Sequence, residues 1–158
     1  MSVNKYKDHV LILPKDDANR QLANGFLLEA NGSKIQILPV AGGWQSVCEI
    51  FVAEHVSAMR QYQQRRFVLL LDFDNDPQRV QKITNMIPDD LKERVFLLGV
   101  WSEPEALKRA TPGSYEDIGL SLAKECRSGE QIIWKHDLLQ QNAVELDRLR
   151  DEVCGFLF

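Results

Sequence analysis

The sequence predicts an α/β protein: a parallel four-stranded sheet flanked by helices, with a helical C-terminal third. Three observations lead there. Phe67 to Leu71 (FVLLL) is an unbroken apolar run of strand length, the pattern of a strand buried on both faces of a parallel sheet. Strand-like runs alternate with segments of helical periodicity as far as Trp101, which is the order of successive βα units. After Trp101 the chain changes character and carries mainly helical stripes and turn residues.

The elements follow in order. His9 to Pro14 (HVLILP) reads as the first strand, and Asp16 can cap the helix after it. In that helix Leu22, Phe26 and Ala30 recur at helical spacing, and Asn31-Gly32 stops it. Lys34 to Val40 reads as a second strand, with Pro39 marking an irregular end or a sheet edge. Gly42-Gly43 makes a sharp turn into a long helix from about Trp44 to Gln63, with Val47, Phe51, Ala58 and Met59 facing inward. The third strand is Phe67 to Asp72. Asn75 or Asp76 then caps a helix over Pro77 to Met86, where proline stands early as expected. Val95 to Trp101 is the fourth strand.

In the C-terminal third, Glu103 to Ala110 and Tyr115 to Cys126 read as helices, the second capped by Ser114. Ile132 to Leu139 is a short apolar segment. A last helix carries Leu146, Leu149, Val153 and Phe156 in a three-four-three stripe. This part reads as helical packing on the sheet, so residues 1–158 form one domain with a core of about residues 7–101 and an extension of about residues 102–158. No internal repeat or low-complexity stretch is visible.

Bulk properties agree with one soluble domain. The chain has 158 residues, 44% hydrophobic and 27% charged, enough to bury a sizeable core. A net charge of −4 gives no global attraction to nucleic acid, although Arg65-Arg66 and the Lys92/Arg94 pair are candidates for a local basic path. Three cysteines, Cys48, Cys126 and Cys154, lie far apart without a CxxC pair, which argues against a disulfide framework or zinc site. No run reaches membrane-spanning length, and the N-terminus lacks the apolar core of a signal peptide. The expected setting is reducing and cytoplasmic, without a membrane partner.

The candidate chemistry lies at the end of the third strand. Asp72, Asp74 and Asp76 alternate directly after the apolar run, at the carboxyl edge where open α/β sheets bind ligands. Residues two apart on a strand point the same way, so Asp72 and Asp74 can present oxygens to one hard cation such as Mg²⁺ or Mn²⁺, with Asp76 in support. Acid-tipped strand ends also form turns and cap helices, and that alternative stands beside the first.

The order strand, helix, strand, glycine turn, helix, strand, DxD resembles a Toprim domain, the Rossmann-like metal-binding fold of topoisomerases, primases and the overcoming-lysogenization-defect nucleases. The resemblance covers about Lys7 to Trp101. Asp72 and Asp74 match the DxD pair, and Gly42-Gly43 resembles the glycine turn. The family's first strand usually ends in Glu-Gly, followed by an acid. Here Leu13 and Pro14 stand at Glu-Gly, and Asp17, with Asp16 as the alternative, matches the later acid. Leucine neither binds Mg²⁺ nor moves a proton.

The resemblance implies two functions. One is a Mg²⁺-dependent nuclease or other phosphoryl-transfer enzyme acting on nucleic acid, with Asp72, Asp74 and Asp17 as its catalytic residues and Asp72, Asp74 and Asp76 holding the metal. The other is a catalytically inactive module that binds a protein partner, such as an ATPase of a mobile-element or phage-defence system, or that forms a homodimer through its C-terminal helix.

Other constellations read as structural. In Trp134-Lys135-His136-Asp137, tryptophan packing with solvent-facing His136 and Asp137 outweighs proton transfer or base stacking. His9 reads as a surface residue and His55 has no partner at ligand spacing. Trp44 reads first as core, with the edge pocket as its alternative place. The sequence holds no GxGxxG after the first strand, no GxxxxGK[ST], no GxSxG and no HExxH, so dinucleotide, P-loop, serine-hydrolase and zincin readings have no support.

Overall fold

A computed structural model describes residues 3–158; Met1 and Ser2, where the reading of the N-terminus begins, lie outside the described residues. Four strands, β1 (His9–Pro14), β2 (Ile35–Ile37), β3 (Arg65–Leu70) and β4 (Val95–Leu98), form one sheet in the order β2-β1-β3-β4. Every pairing is parallel, with Leu11 beside Phe67 and Phe67 beside Val95. The α/β class and the four-stranded parallel sheet therefore stand as the sequence predicts.

Both faces of this sheet are dry, which explains the unbroken apolar runs. Val10, Ile12, Val68, Phe96 and Leu98 point to one face and pack with the C-terminal third. Leu11, Leu13, Phe67, Leu69, Val95 and Leu97 point to the other, among residues of the helices that follow β2 and β3. The alternation is the ordinary two-residue period of a strand. It is invisible in the sequence because both phases are hydrophobic.

On the first face lie α1 (Asp17–Leu27) and, from the C-terminal third, α5 (Pro104–Ala110) and α6 (Tyr115–Ser128). Gly25 and Gly119 let α1 and α6 approach closely: a Cβ on Gly25 would stand 2.0 Å from the Glu116 carbonyl oxygen, and one on Gly119 2.0 Å from that of Leu22. Ser114 caps α6 in a reciprocal box with Asp117, and Gly129 closes it with φ 86°. The segment Ile132 to Leu139 forms turns, held where the buried carboxylate of Glu125 accepts the amides of Ile132 (2.8 Å) and Ile133 (2.9 Å).

On the other face, α2 (Trp44–Ile50), a π-helical turn (Phe51–His55) and α3 (Val56–Gln61) form one helical run, and α4 (Pro77–Met86) lies beside it. The π turn inserts one residue into the helical register. The buried positions are accordingly Val47, Phe51, Val56 and Met59, with Ala58 displaced toward the rim. A second π turn lies at the end of the chain. There α7 (Ala143–Leu149), a π turn (Arg150–Cys154) and α8 (Gly155–Leu157) follow one another, and Leu157 rather than Phe156 completes the buried stripe of Leu146, Leu149 and Val153.

β4 is a sheet edge, yet its outer backbone groups are not bare. Glu145 accepts the Leu97 amide (2.7 Å), Asn142 accepts the Gly99 amide (3.1 Å) and donates to its carbonyl (2.9 Å), and Gln141 donates to the same carbonyl (2.6 Å). Arg148 reaches the Val95 carbonyl at 3.3 Å. Side chains thus take the hydrogen-bonding place of a fifth strand and blunt the edge.

Candidate functional site

The carboxyl edge of the sheet is assembled around Lys15, the first residue after β1. Its amide donates to Leu70 of β3 (2.9 Å), and its carbonyl accepts the Gly42 amide (2.8 Å). The glycine turn is thereby tied to the centre of the edge. Gly42 has φ 101°, a conformation that favours glycine. With its backbone fixed on both sides, Lys15 reaches across to the carboxylate of Asp72, Nζ to Oδ1 2.6 Å, and lies 3.4 Å from Asp16.

Asp72 is 2% exposed. Asn19, wholly buried, lies 3.5 Å from the same Oδ1 and donates to Asp16 (3.0 Å). Asp16 also accepts the Asn19 amide (3.0 Å) as the cap of α1. This capping position turns Asp16 back toward the sheet, whereas Asp17, one residue on, faces solvent and accepts from Arg20 and Gln21. The structure brings Asp16, not Asp17, into the cluster with Asp72.

The three alternating acids separate. β3 ends at Leu70, and the chain passes through left-handed backbone at Asp74 (φ 49°) and Asn75 (φ 58°), conformations uncommon for side-chain-bearing residues. The two-residue strand period therefore stops before it can align Asp72 with Asp74. Asp74 is exposed and accepts from Arg79 (2.9 Å), whose guanidinium also donates to the Asp72 carbonyl (3.1 Å). Arg79 lies over the Trp44 ring at 5.0 Å, which places Trp44 at the rim of the site. Asp76 caps α4 through the Gln78 amide (2.9 Å). Leu13, where the resemblance expects a glutamate, is 1% exposed and part of the core.

Electrostatics follow from these contacts. Burial works against the charge of Lys15, but the Asp72 and Asp16 carboxylates outweigh it and hold the amine above the ordinary lysine value. Lys15 therefore remains an ammonium at neutral pH and is no general base. A divalent cation needs several oxygens converging on one point. Here Asp72 faces an ammonium, Asp74 a guanidinium and Asp76 a helix amide. Among the described residues no three His, Cys, Asp or Glu side chains converge as a metal site. As arranged, the donor set does not fit Mg²⁺ or Mn²⁺.

Lys15, Asn19 and Arg79 are the residues that sequence reasoning missed. Lys15 was legible as the first residue beyond a buried strand. Asn19 and Arg79 were not, because each lies in the first turn of a helix and only the crossing of elements brings it to the edge.

The remaining sequence candidates are structural. Arg94 donates to the carbonyls of Met59 (2.8 Å), Tyr62 (3.2 Å) and Arg65 (3.0 Å). Arg66 pairs with Asp8 (3.0 Å) and Glu152 (3.4 Å). His9 is buried, not on the surface: Nδ1 contacts the Lys7 carbonyl (2.7 Å), and Arg65 donates to Nε2 (3.0 Å). Trp134 is buried with its indole N–H on the Leu122 carbonyl (3.0 Å), and His136 accepts the Leu138 amide (3.1 Å) in a turn. Among the described residues no helix is long and apolar enough to cross a membrane. No family model matches the sequence, and no curated protein or solved structure matches it.

Proposed function

We propose that the chain is a Toprim-like module that acts by binding a protein partner and not by metal-dependent cleavage of nucleic acid. The observation that carries this reading is the Lys15 ammonium 2.6 Å from Asp72. An ammonium on the buried acid supplies in permanent form the positive charge that a cation would bring. It also leaves that acid without a free oxygen pair for one. Leu13 and Pro14 at the expected Glu-Gly support the same reading, since neither side chain has an oxygen to offer. A partner ATPase is the class that the resemblance implies.

The test is thermal unfolding across a Mn²⁺ titration, for the wild type and for the Asp72→Asn/Asp74→Asn variant, with cleavage assays on single- and double-stranded nucleic acid. A ligand specific for the folded state raises the midpoint. The expected result is no metal-dependent rise in either protein and no cleavage. A rise confined to the wild type, accompanied by cleavage, would replace this reading with the Mg²⁺-dependent nuclease.

A further inference from the structure

Cys126 and Cys154 are 28 residues apart in sequence, yet their sulfurs lie 2.8 Å from each other. Cys126 sits near the end of α6 and is 3% exposed; Cys154 ends the C-terminal π turn and is half-buried. Separate elements thus deliver two thiols to one point, one sheltered and one open to a reagent. Arg150 lies beside them, donating to the Glu125 carbonyl (3.2 Å).

We propose that Cys126 and Cys154 are a reversible redox pair that forms an intramolecular disulfide by exchange with a low-molecular-weight disulfide such as oxidised glutathione, clamping the C-terminal helical run onto α6. The Cys154 thiolate attacks one sulfur of the oxidant. That S–S bond breaks, one glutathione thiolate leaves, and a mixed disulfide remains on Cys154. Cys126 gives up its proton and attacks the Cys154 sulfur, releasing the second glutathione thiolate. The cysteines lose two electrons and two protons in total, and the oxidant takes up both.

The division of roles follows from the surroundings. The contact with Cys126 holds the Cys154 thiol below its ordinary value against the opposing effect of burial, and the Arg150 charge adds to the lowering. The same contact, together with burial, pushes Cys126 far up. Cys154, the more exposed of the two, is the attacking thiol, and the buried Cys126 is the resolving one. Cys48 stands apart, half-buried with its thiol raised by burial.

The bond would fix the run that shields the β4 edge. Glu145 and Arg148 of α7 hold the Leu97 amide and the Val95 carbonyl, and Cys154 follows in the next turn. Oxidation therefore adds a covalent tie to a cover that the reduced chain already makes.

The experiment uses the full chain equilibrated in glutathione redox buffers, with Cys48→Ser and Cys154→Ser variants. Intact mass, peptide mapping and thermal unfolding are read. The expected product is lighter by two hydrogens, joins Cys126 to Cys154 in the map and is reversed by dithiothreitol. Closing a loop of this length should raise the unfolding midpoint by about 5–10 °C. Cys48→Ser should behave like the wild type, and Cys154→Ser should show neither bond nor shift. A persistent glutathione adduct, a cross-linked dimer, an unchanged mass or a disulfide that leaves the midpoint in place would overturn the proposal.

Discussion

The two ends of the parallel sheet both carry clusters of charge, but they use it differently. At the amino ends, the Arg94 guanidinium gathers carbonyls from the end of α3 and the start of β3, and Arg65 donates to a buried imidazole. At the carboxyl ends, acids are held by side chains from neighbouring elements: Asp72 by Lys15 and Asp74 by Arg79. Two buried oxygens there, Asn19 Oδ1 and Ser102 Oγ, have no hydrogen-bond partner among the described residues. Backbone carbonyls have nowhere else to turn, so the amino-end cations are fixed parts of the fold. Side-chain ion pairs leave their partners more freedom, which makes the carboxyl edge the more adaptable of the two ends. Of the basic residues singled out in the sequence, Arg94 is held by carbonyls and Arg65 by His9, whereas Arg66 pairs with the acids Asp8 and Glu152 and Lys92 with Asp89.

Three predictions break or sharpen this contrast. The largest effect is expected from Asp72→Ala, which strips Lys15 of its closest counter-charge in a mostly buried place. Removing one partner of a buried pair is costly, and with the Lys15 side chain still 20% exposed the loss should be about 2–4 kcal/mol in denaturant unfolding. Adding Lys15→Met should recover part of it, and purely additive losses would show that the pair is not coupled.

Arg94→Met comes next, with an expected loss of about 2 kcal/mol from carbonyls that lose a charged donor. A value near zero would mean that water replaces the guanidinium and that the amino end is as exchangeable as the carboxyl end.

The smallest effect concerns pH. Burial, with Arg65 and Arg66 adding to it, lowers the His9 pKa below 6.5, and burial does the same to His55. The folded state then binds fewer protons than the unfolded one just below pH 6.5. Stability is full above that pH and declines as pH falls through the window toward the lowered values. Each group contributes a slope of at most about 1.4 kcal/mol per pH unit. His9→Gln should flatten the slope, and unfolding curves between about pH 7 and 5 would show whether it does.

Much of the fold was legible in the residues. β1 and α4 begin and end where the sequence places them, because strand and cap signals there are local: an apolar run ending at Pro14, and Asp76 before Pro77. β4 was placed three residues too long, since Val100 and Trp101 continue the apolar run after the ladder's regular part ends at Leu98. Ala58 is only partly buried because the π turn at Phe51–His55 shifts the helical register by one residue, and that extra residue has no signature in the apolar pattern; Phe156 packs partly buried against the core beside the fully buried Leu157.

The sequence by itself determined the α/β class, the parallel sheet, the capping residues and the acid-tipped edge, because these depend on hydrophobic period and on side chains acting on their own backbone. Only the tertiary structure decided that Asp16 and not Asp17 meets Asp72, that Lys15 stands between them, that Gln141 to Arg148 close the β4 edge, and that Cys126 meets Cys154. Each of those pairings joins residues from different elements. The geometry of crossing elements is set by the packing of the whole core, which no local pattern encodes.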